Sequence, residues 1–295
     1  MNDFIKKIRY LGEALIVKLA MGFFALLGEK NASDFGSFLA RKIGKLHSSH
    51  KLALSNISKA MPHLNEAQKN QIIDDMWDNL GRVVGEYVHL AKLSPQKMVE
   101  KYVLFDDKSR ANIGFIKQNC KGGIIFSGHI GNWEIGPKTL MSEGFNVSTV
   151  YRPLNNPYVE EMTASIRGAK LIAKGSHGGR QIIEAIKNGE YVIILADQKV
   201  SEGEKVKFFH DDAVTATSIA RIALKYDVPL IAARCIRIDH QFKFWVEIEK
   251  PLAFQKSGDI NRDVLDLTRT INQKLEDWIS DYPAQWFWVH DRWKK

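Results

Sequence analysis

Gly122-Gly-Ile-Ile-Phe-Ser-Gly-His-Ile-Gly-Asn-Trp-Glu134 decides how this chain is read. Its first half, Gly123–Ser127, is a short apolar run of the kind that forms a fully buried strand. The run ends on Gly128-His129, so an imidazole stands at the mouth of the strand. A carboxylate, Glu134, follows five residues on, at the start of a helix-like stretch. A histidine so placed can take a proton from a hydroxyl, with the carboxylate holding its tautomer and stabilising its cation. The spacing alone carries no weight: nine histidines and 34 acids among 295 residues make one such pair an expected coincidence. The segments around it must carry the reading.

Downstream, short apolar runs alternate with helix-like stretches: 146–151 then about 156–168, and next 179–187, 191–196, 217–225, 229–236 and 260–279. Such alternation predicts a mostly parallel sheet covered by helices. Residues 242–248 would add an antiparallel edge after a turn near Asp239-His240. Residues 1 to about 115 read as helical. Within 71–90 the apolar positions Ile73, Met76, Trp77, Leu80, Val83, Val84, Tyr87 and Val88 form a helix-period stripe. Pro62 ends the segment before it, and Asn65-Glu-Ala-Gln68 resembles a helix start. Residues 199–212 show no clear element and are expected to form a mobile lid or binding loop. The expected fold class is α/β, an N-terminal helical region packed on a mostly parallel mixed sheet covered by helices. One α/β domain would span 31–295, with a helical layer at 31–118 and the sheet and catalytic core at 119–295, behind an N-terminal helix at 1–30.

A hydrophobic content of 45% with ordinary charge argues for a folded protein with a sizeable core. The net charge of +8 implies a polyanionic neighbour: nucleic acid, anionic lipid or an acidic protein. No basic run alternates with aromatics and no zinc-finger spacing is present, so no nucleic acid partner is expected. Cys120 and Cys235 lie far apart, and Cys235 sits in an apolar run, which favours free thiols and a reducing compartment. Residues 10–28 are mostly apolar and as a helix would reach about 28 Å, close to one hydrocarbon core. Glu13 and Lys18 interrupt them, each costing about 2.5–3.5 kcal/mol near a bilayer centre. Basic residues flank both sides, with Lys6, Lys7 and Arg9 before and Lys30, Arg41, Lys42, Lys45 and Lys51 after. No small-residue cleavage site follows. The expectation is a helix lying in or dipping into the cytoplasmic-side interface, the alternative being a buried amphipathic helix.

In open α/β sheets chemistry gathers at the carboxyl ends of strands. Three consecutive strand ends here carry polar groups: His129 to Glu134, Tyr151-Arg152-Pro153, and Asp197-Gln198-Lys199. Pro153 fixes the chain after Arg152 and aims the guanidinium, which fits an anion or oxyanion contact. Asp197 and Gln198 would position an acceptor or Arg152. The plainer readings are a structural histidine, a helix-dipole acid at Glu134, a surface ion pair at Arg152 and polar strand caps at 197 and 198. A metal site built from His129, Glu134, His177 and His210 is the rival chemistry. No helical His pair, His-x-His or Cys-x-x-Cys supports it, and no metal is expected. There is no Gly-x-Ser-x-Gly elbow and no phosphate or dinucleotide glycine motif. Lys174-Gly-Ser-His-Gly-Gly179 fits neither spacing and reads as a turn into a helix.

Taken together these residues resemble the lipid A biosynthesis late acyltransferases, the Kdo-lipid IVA lauroyl and myristoyl type with a His-x4-Asp/Glu motif. The resemblance covers most of the chain. It takes in the apolar N-terminal helix with its basic flank, Asn56-Ile-Ser-Lys-Ala-Met-Pro62, His129 to Glu134, Tyr151-Arg152-Pro153 with Asn156-Pro157, and Asp197-Gln198. It continues through Phe208-Phe209 with Thr215 to the tail Gln285-Trp-Phe-Trp-Val-His-Asp-Arg-Trp293. It implies a glycerolipid-acyltransferase-like fold and an enzyme on the cytoplasmic face of the inner membrane. That enzyme would move a fatty acyl chain from acyl carrier protein to a hydroxyl of a lipid A precursor, with no further cofactor. His129 would be the general base and Glu134 its orienter. Arg152, with backbone amides near Gly131 or Asn132, would stabilise the oxyanion or bind a phosphate. Phe208 and Phe209 would wall the acyl chain. The acidic carrier protein, an anionic lipid acceptor and the membrane surface all suit the +8 charge. Two rivals remain: an acyltransferase acting on a lysophospholipid, ornithine lipid or glycolipid, and a catalytically silent lipid-binding protein at the membrane surface.

Overall fold

Helices come first, and local capping chemistry sets their ends. The computed structural model describes residues 3–175, 177–200 and 202–293. The opening layer runs α1 (Asp3–Leu26), α2 (Glu29–Ile43), α3 (Ser48–Ala60), α4 (Glu66–Leu90) and α5 (Pro95–Tyr102). A two-residue strand, β1 (Val103–Leu104), and α6 (Asp107–Asn119) follow. Asn65 and Gln68 form a reciprocal capping box at the start of α4, as that tetrapeptide predicts. Asp106 caps α6 through the Ser109 amide.

The alternating half then unfolds as β2 (Gly123–Ser127), α7 (Ile135–Ser142), β3 (Val147–Tyr151), α8 (Pro157–Arg167), β4 (Lys170–Ala173), α9 (Gly178–Lys187) and β5 (Tyr191–Leu195). A hairpin of β6 (Glu204–Phe208) and β7 (Asp211–Thr215) comes next, then α10 (Ser218–Tyr226), β8 (Leu230–Arg237), β9 (Phe244–Ile248) and α11 (Ile260–Asp281). The main sheet has the order β1-β9-β8-β2-β5-β3-β4. Its body is parallel, and β9 returns antiparallel beside β8 as expected, but it is not the edge: the two-residue β1 pairs parallel on its far side and takes that place. The central strands read as unbroken apolar runs because helices cover both faces. Along β2, Ile124 and Phe126 face one core with Trp278, and Ile125 faces the other with Leu140 and Ile193.

Residues 204–215 correct the expectation of an irregular loop: they form the antiparallel β6–β7 hairpin. Its inward side chains Val206, Phe208 and Ala213 are buried, while Lys205, Lys207 and Asp212 face out and Glu204 and Asp211 are exposed at the ends of the inward face. Charge on the exposed face hid the strand period.

The first two helices are packed inside out. On α2 the buried residues are small, Ala32, Ser33, Gly36 and Ser37. They lie against α4 so closely that a Cβ on Gly36 would stand 2.2 Å from the Gly81 carbonyl oxygen. The large side chains Phe35, Phe38, Leu39 and Ile43 are exposed, and Leu46 continues the strip. On α1 only Phe24 is buried, leaving Phe4, Ile5, Ile8, Leu11, Leu15, Ile16, Leu19 and Phe23 exposed. Among the described residues no helix is long and apolar enough to cross a membrane.

Candidate active site

Parallel register builds the site. Ser127 of β2 sits opposite Leu195 of β5. The residues two places beyond each, His129 and Asp197, therefore emerge side by side at the carboxyl edge. His129 Nδ1 lies 2.8 Å from Asp197 Oδ1, and the His129 amide donates to Oδ2 at 2.7 Å. The Trp286 indole donates to the same Oδ2 at 2.8 Å. Asp197 is fully buried. Burial alone would raise its pKa, but the charge of His129 and the hydrogen bonds from His129 and Trp286 outweigh it and hold the carboxyl well below the usual range.

This corrects the role expected of Glu134. The carboxylate on His129 Nδ1 is Asp197, 68 residues away, and Glu134 turns to Arg167 at the end of α8, 3.2 Å from its Nε. The reason is geometric: Glu134 stands at the helical start of α7, across the cleft from the ring. His129 Nε2 faces the Gln198 amide nitrogen at 3.1 Å, and that nitrogen is also 2.9 Å from His290 Nε2. Trp133 meets the His129 ring edge-on, with centroids 5.0 Å apart.

The turn between His129 and Glu134 is held from behind. Gly131 has φ +59°, and a Cβ there would lie 1.9 Å from the Cys235 carbonyl oxygen, so glycine is required. The Gly131 amide donates to the Gln285 carbonyl at 3.0 Å, and its own carbonyl accepts from Asn79 at 2.9 Å. Asn132, expected to touch substrate, is fully buried instead and donates to Glu86 at 2.9 Å. Glu86 is clamped in turn by Arg237 Nη2 at 2.9 Å. Asn132 is thus part of the support, fixed to α4 and β8.

A cavity of about 170 Å³ opens in front of His129. Glu134, Arg152, Arg167, Lys174 and Gln198 border it, with Trp133 and Tyr151 as aromatic walls. The three polar strand ends do converge, since β2, β5 and β3 are neighbours in the sheet. A second cavity of about 330 Å³ adjoins it through Val150, Lys174, Leu195 and Gln198, and is lined with Ile182, Ile194, Ile219 and Ile222. Phe208 and Phe209 border neither space. Phe208 is buried under the tail, 5.9 Å from Trp286 and 5.6 Å from Trp293 between ring centroids. The rival metal donors are not gathered: among the described residues no three His, Cys, Asp or Glu side chains form a metal-binding group. Both cysteines are free.

Several site residues escaped the sequence. Arg167 carries only the signal of a basic residue before Gly168. Trp286 and His290 belong to an aromatic tail that had no assigned place. That tail is pinned beside His129: Phe287 N donates to the His129 carbonyl at 3.1 Å, and Asn56 of α3 donates to the Trp288 and His290 carbonyls at 2.7 and 2.6 Å.

Residues 1–295 match the family model for bacterial lipid A biosynthesis acyltransferases. A lipid A biosynthesis myristoyltransferase of Escherichia coli (strain K12) is 23% identical over 287 residues, covering 95% of this chain and 86% of that protein. A lipid A biosynthesis acyltransferase of Haemophilus influenzae is 23% identical over 291 residues, covering 95% and 85%. A lipid A biosynthesis palmitoleoyltransferase of E. coli is 22% identical over 284 residues, covering 95% and 88%.

Proposed function

The chain belongs to the bacterial lipid A biosynthesis acyltransferases, and from that premise we propose that it transfers a fatty acyl group from acyl carrier protein to a hydroxyl of a lipid A precursor. The observation that carries the mechanism is the His129–Asp197 pair at the mouth of the cavity, 2.8 Å between Nδ1 and Oδ1. With its Nδ1–H given to Asp197, His129 presents the Nε2 lone pair toward the cavity. The acceptor hydroxyl takes the place of the Gln198 amide there and gives its proton to Nε2 as its oxygen attacks the thioester carbonyl. The carbon–sulfur bond then breaks, and the thiolate leaves with the proton from Nε2. Asp197 plays the part of a triad carboxylate, while the substrate supplies the nucleophilic oxygen. No acyl-enzyme forms.

Arg152 and Lys174 face the same cavity and suit the developing oxyanion or a substrate phosphate. Glu134 and Arg167 neutralise each other on its far wall, 3.2 Å apart. The adjoining apolar cavity is the better acyl wall, in place of Phe208 and Phe209. The outward faces of α1 and α2, with Lys6, Lys7, Arg9, Arg41 and Lys42 along them, support docking in the surface of an anionic inner-membrane leaflet at the cytoplasmic side.

Purified protein given acyl carrier protein thioesters and lipid A precursors tests the reading. Wild type should acylate the precursor, and His129→Ala should lose about 10²–10⁴-fold in rate with its fold intact. Retained turnover by His129→Ala rejects the assigned base. Transfer only to lysophospholipid or ornithine lipid acceptors in the same assay rejects the proposed substrate.

A further inference from the structure

We propose that His290 is a positioning residue that works through the Gln198 amide to keep His129 Nε2 a lone-pair acceptor; this deepens, and rests on, the reading of His129 as base. Gln198 offers one nitrogen to two imidazoles, 3.1 Å from His129 Nε2 and 2.9 Å from His290 Nε2. An amide nitrogen has two N–H donors and accepts nothing, so serving both rings from it requires a lone pair at each Nε2. His129 meets this with its Nδ1–H committed to Asp197. His290 meets it as a neutral ring with its hydrogen on Nδ1.

The surroundings keep His290 neutral. Burial pushes its pKa down to about 4, the charges of His129 and Lys174 act in the same direction, and Asp197 opposes them. Its place is fixed by Asn56 on its carbonyl and by Phe287, edge-on with ring centroids 4.6 Å apart.

With the amide turned over, its oxygen would face both rings, and each would need an N–H at Nε2. For His129, whose other nitrogen already donates to Asp197, that is the imidazolium. Amide orientation and the proton on His129 are therefore one two-state element. A neutral His290 disfavours the turned state, in which an oxygen would face its lone pair. The proton that His129 takes from the hydroxyl is thus not held by Gln198 and passes on to the leaving thiolate.

The test is kcat/KM against pH for the full chain, with an acyl carrier protein thioester and acceptor. The proteins are wild type, His290→Phe, His290→Asn, Gln198→Met and the double variant. In His290→Phe the amide is free to turn, and the acidic limb should move up by about one pH unit, a loss of about tenfold on that limb that closes at high pH. His290→Asn keeps an acceptor oxygen and should fall between. In the Gln198→Met background His290→Phe should move nothing further. A His290→Phe profile that is only scaled, or a shift that survives without Gln198, overturns the proposal. Nitrogen-15 NMR of the wild-type histidine rings gives a second reading that needs no variant to fold. A His290 that carries its hydrogen on Nε2 at pH 7 also overturns it. If wild type turns over no thioester, the proposed function fails, and the NMR result still decides the role of His290.

Discussion

At the carboxyl edge of β2, β5 and β3, charge is drawn inward: Asp197 is fully buried, and Glu134 and Arg167 pair at 3.2 Å on the cavity wall, both mostly covered. On α2 the order is reversed, with Ala32, Ser33, Gly36 and Ser37 inside and Phe35, Phe38, Leu39 and Ile43 outside. Water would penalise both arrangements. A buried carboxylate is tolerable only when hydrogen-bonded and paired, and Asp197 is, by His129 and Trp286. A helix that shows large apolar side chains is tolerable when part of its surroundings is not water. The proposed function gives each reversal a reason: the first region would meet the reacting atoms and the second a lipid surface.

The hardest blow to the first region is Asp197→Asn. An amide at that position would turn N–H toward His129 Nδ1 and favour the wrong tautomer, so kcat should fall by about 10³–10⁴-fold, as for the same change in a Ser-His-Asp triad. Stability should respond to pH as well. The Asp197 pKa is depressed in the folded protein, so its contribution is complete above the ordinary carboxylate value of about 3.9 and is lost as pH falls below it toward the folded value. Acid unfolding followed by fluorescence should thus be less steep below about pH 4 in Asp197→Asn than in wild type. A kcat within tenfold of wild type would sink the pairing.

How far the site was legible follows from this pair. His129 was legible because it ends an apolar strand between two glycines. Asp197 was legible as a polar strand end, but its partnership was not, because it depends on β2 and β5 being parallel neighbours in register. Sequence nearness pointed to Glu134 instead. The β6–β7 hairpin was lost for a related reason: Lys205, Lys207 and Asp212 on its outer face masked the inward Val206 and Phe208. The sheet, its antiparallel strand β9 and the long helix α4 were written in apolar periodicity, which needs no partner to be read, whereas the two-residue β1 that edges β9 is too short to show one.

A second, smaller effect separates the two carboxylates. If Glu134 oriented His129, Glu134→Gln would match Asp197→Asn in size. With Glu134 held by Arg167, the expected loss in kcat/KM is about 10–100-fold, on the order of the charge-assisted hydrogen bonds removed. The acidic limb of the pH profile should not move. Arg167→Ala should cost at least as much, since it leaves Glu134 unpaired in a partly buried place. Equal losses for Glu134→Gln and Asp197→Asn would return the orienting role to Glu134.

The smallest effect should come from the outer face of α2. Phe38 and Ile43 are more than half exposed, at 53% and 55%, so they contribute little to packing within the protein. Phe38→Ser with Ile43→Ser should leave thermal unfolding in place. In a bilayer interface each would bury part of a side chain whose full burial is worth about 1.5–3 kcal/mol. The pair should therefore weaken binding to phosphatidylglycerol-containing vesicles by about tenfold, measured by co-sedimentation. Arg41→Gln with Lys42→Gln should weaken it by a similar step, because basic residues near an anionic surface are worth about 1 kcal/mol each. That second loss should fade as salt is raised, and the first should not. If the apolar variant instead lowers the unfolding temperature and leaves vesicle binding alone, the outer face of α2 is a protein contact, and the reversal between the two regions has another cause.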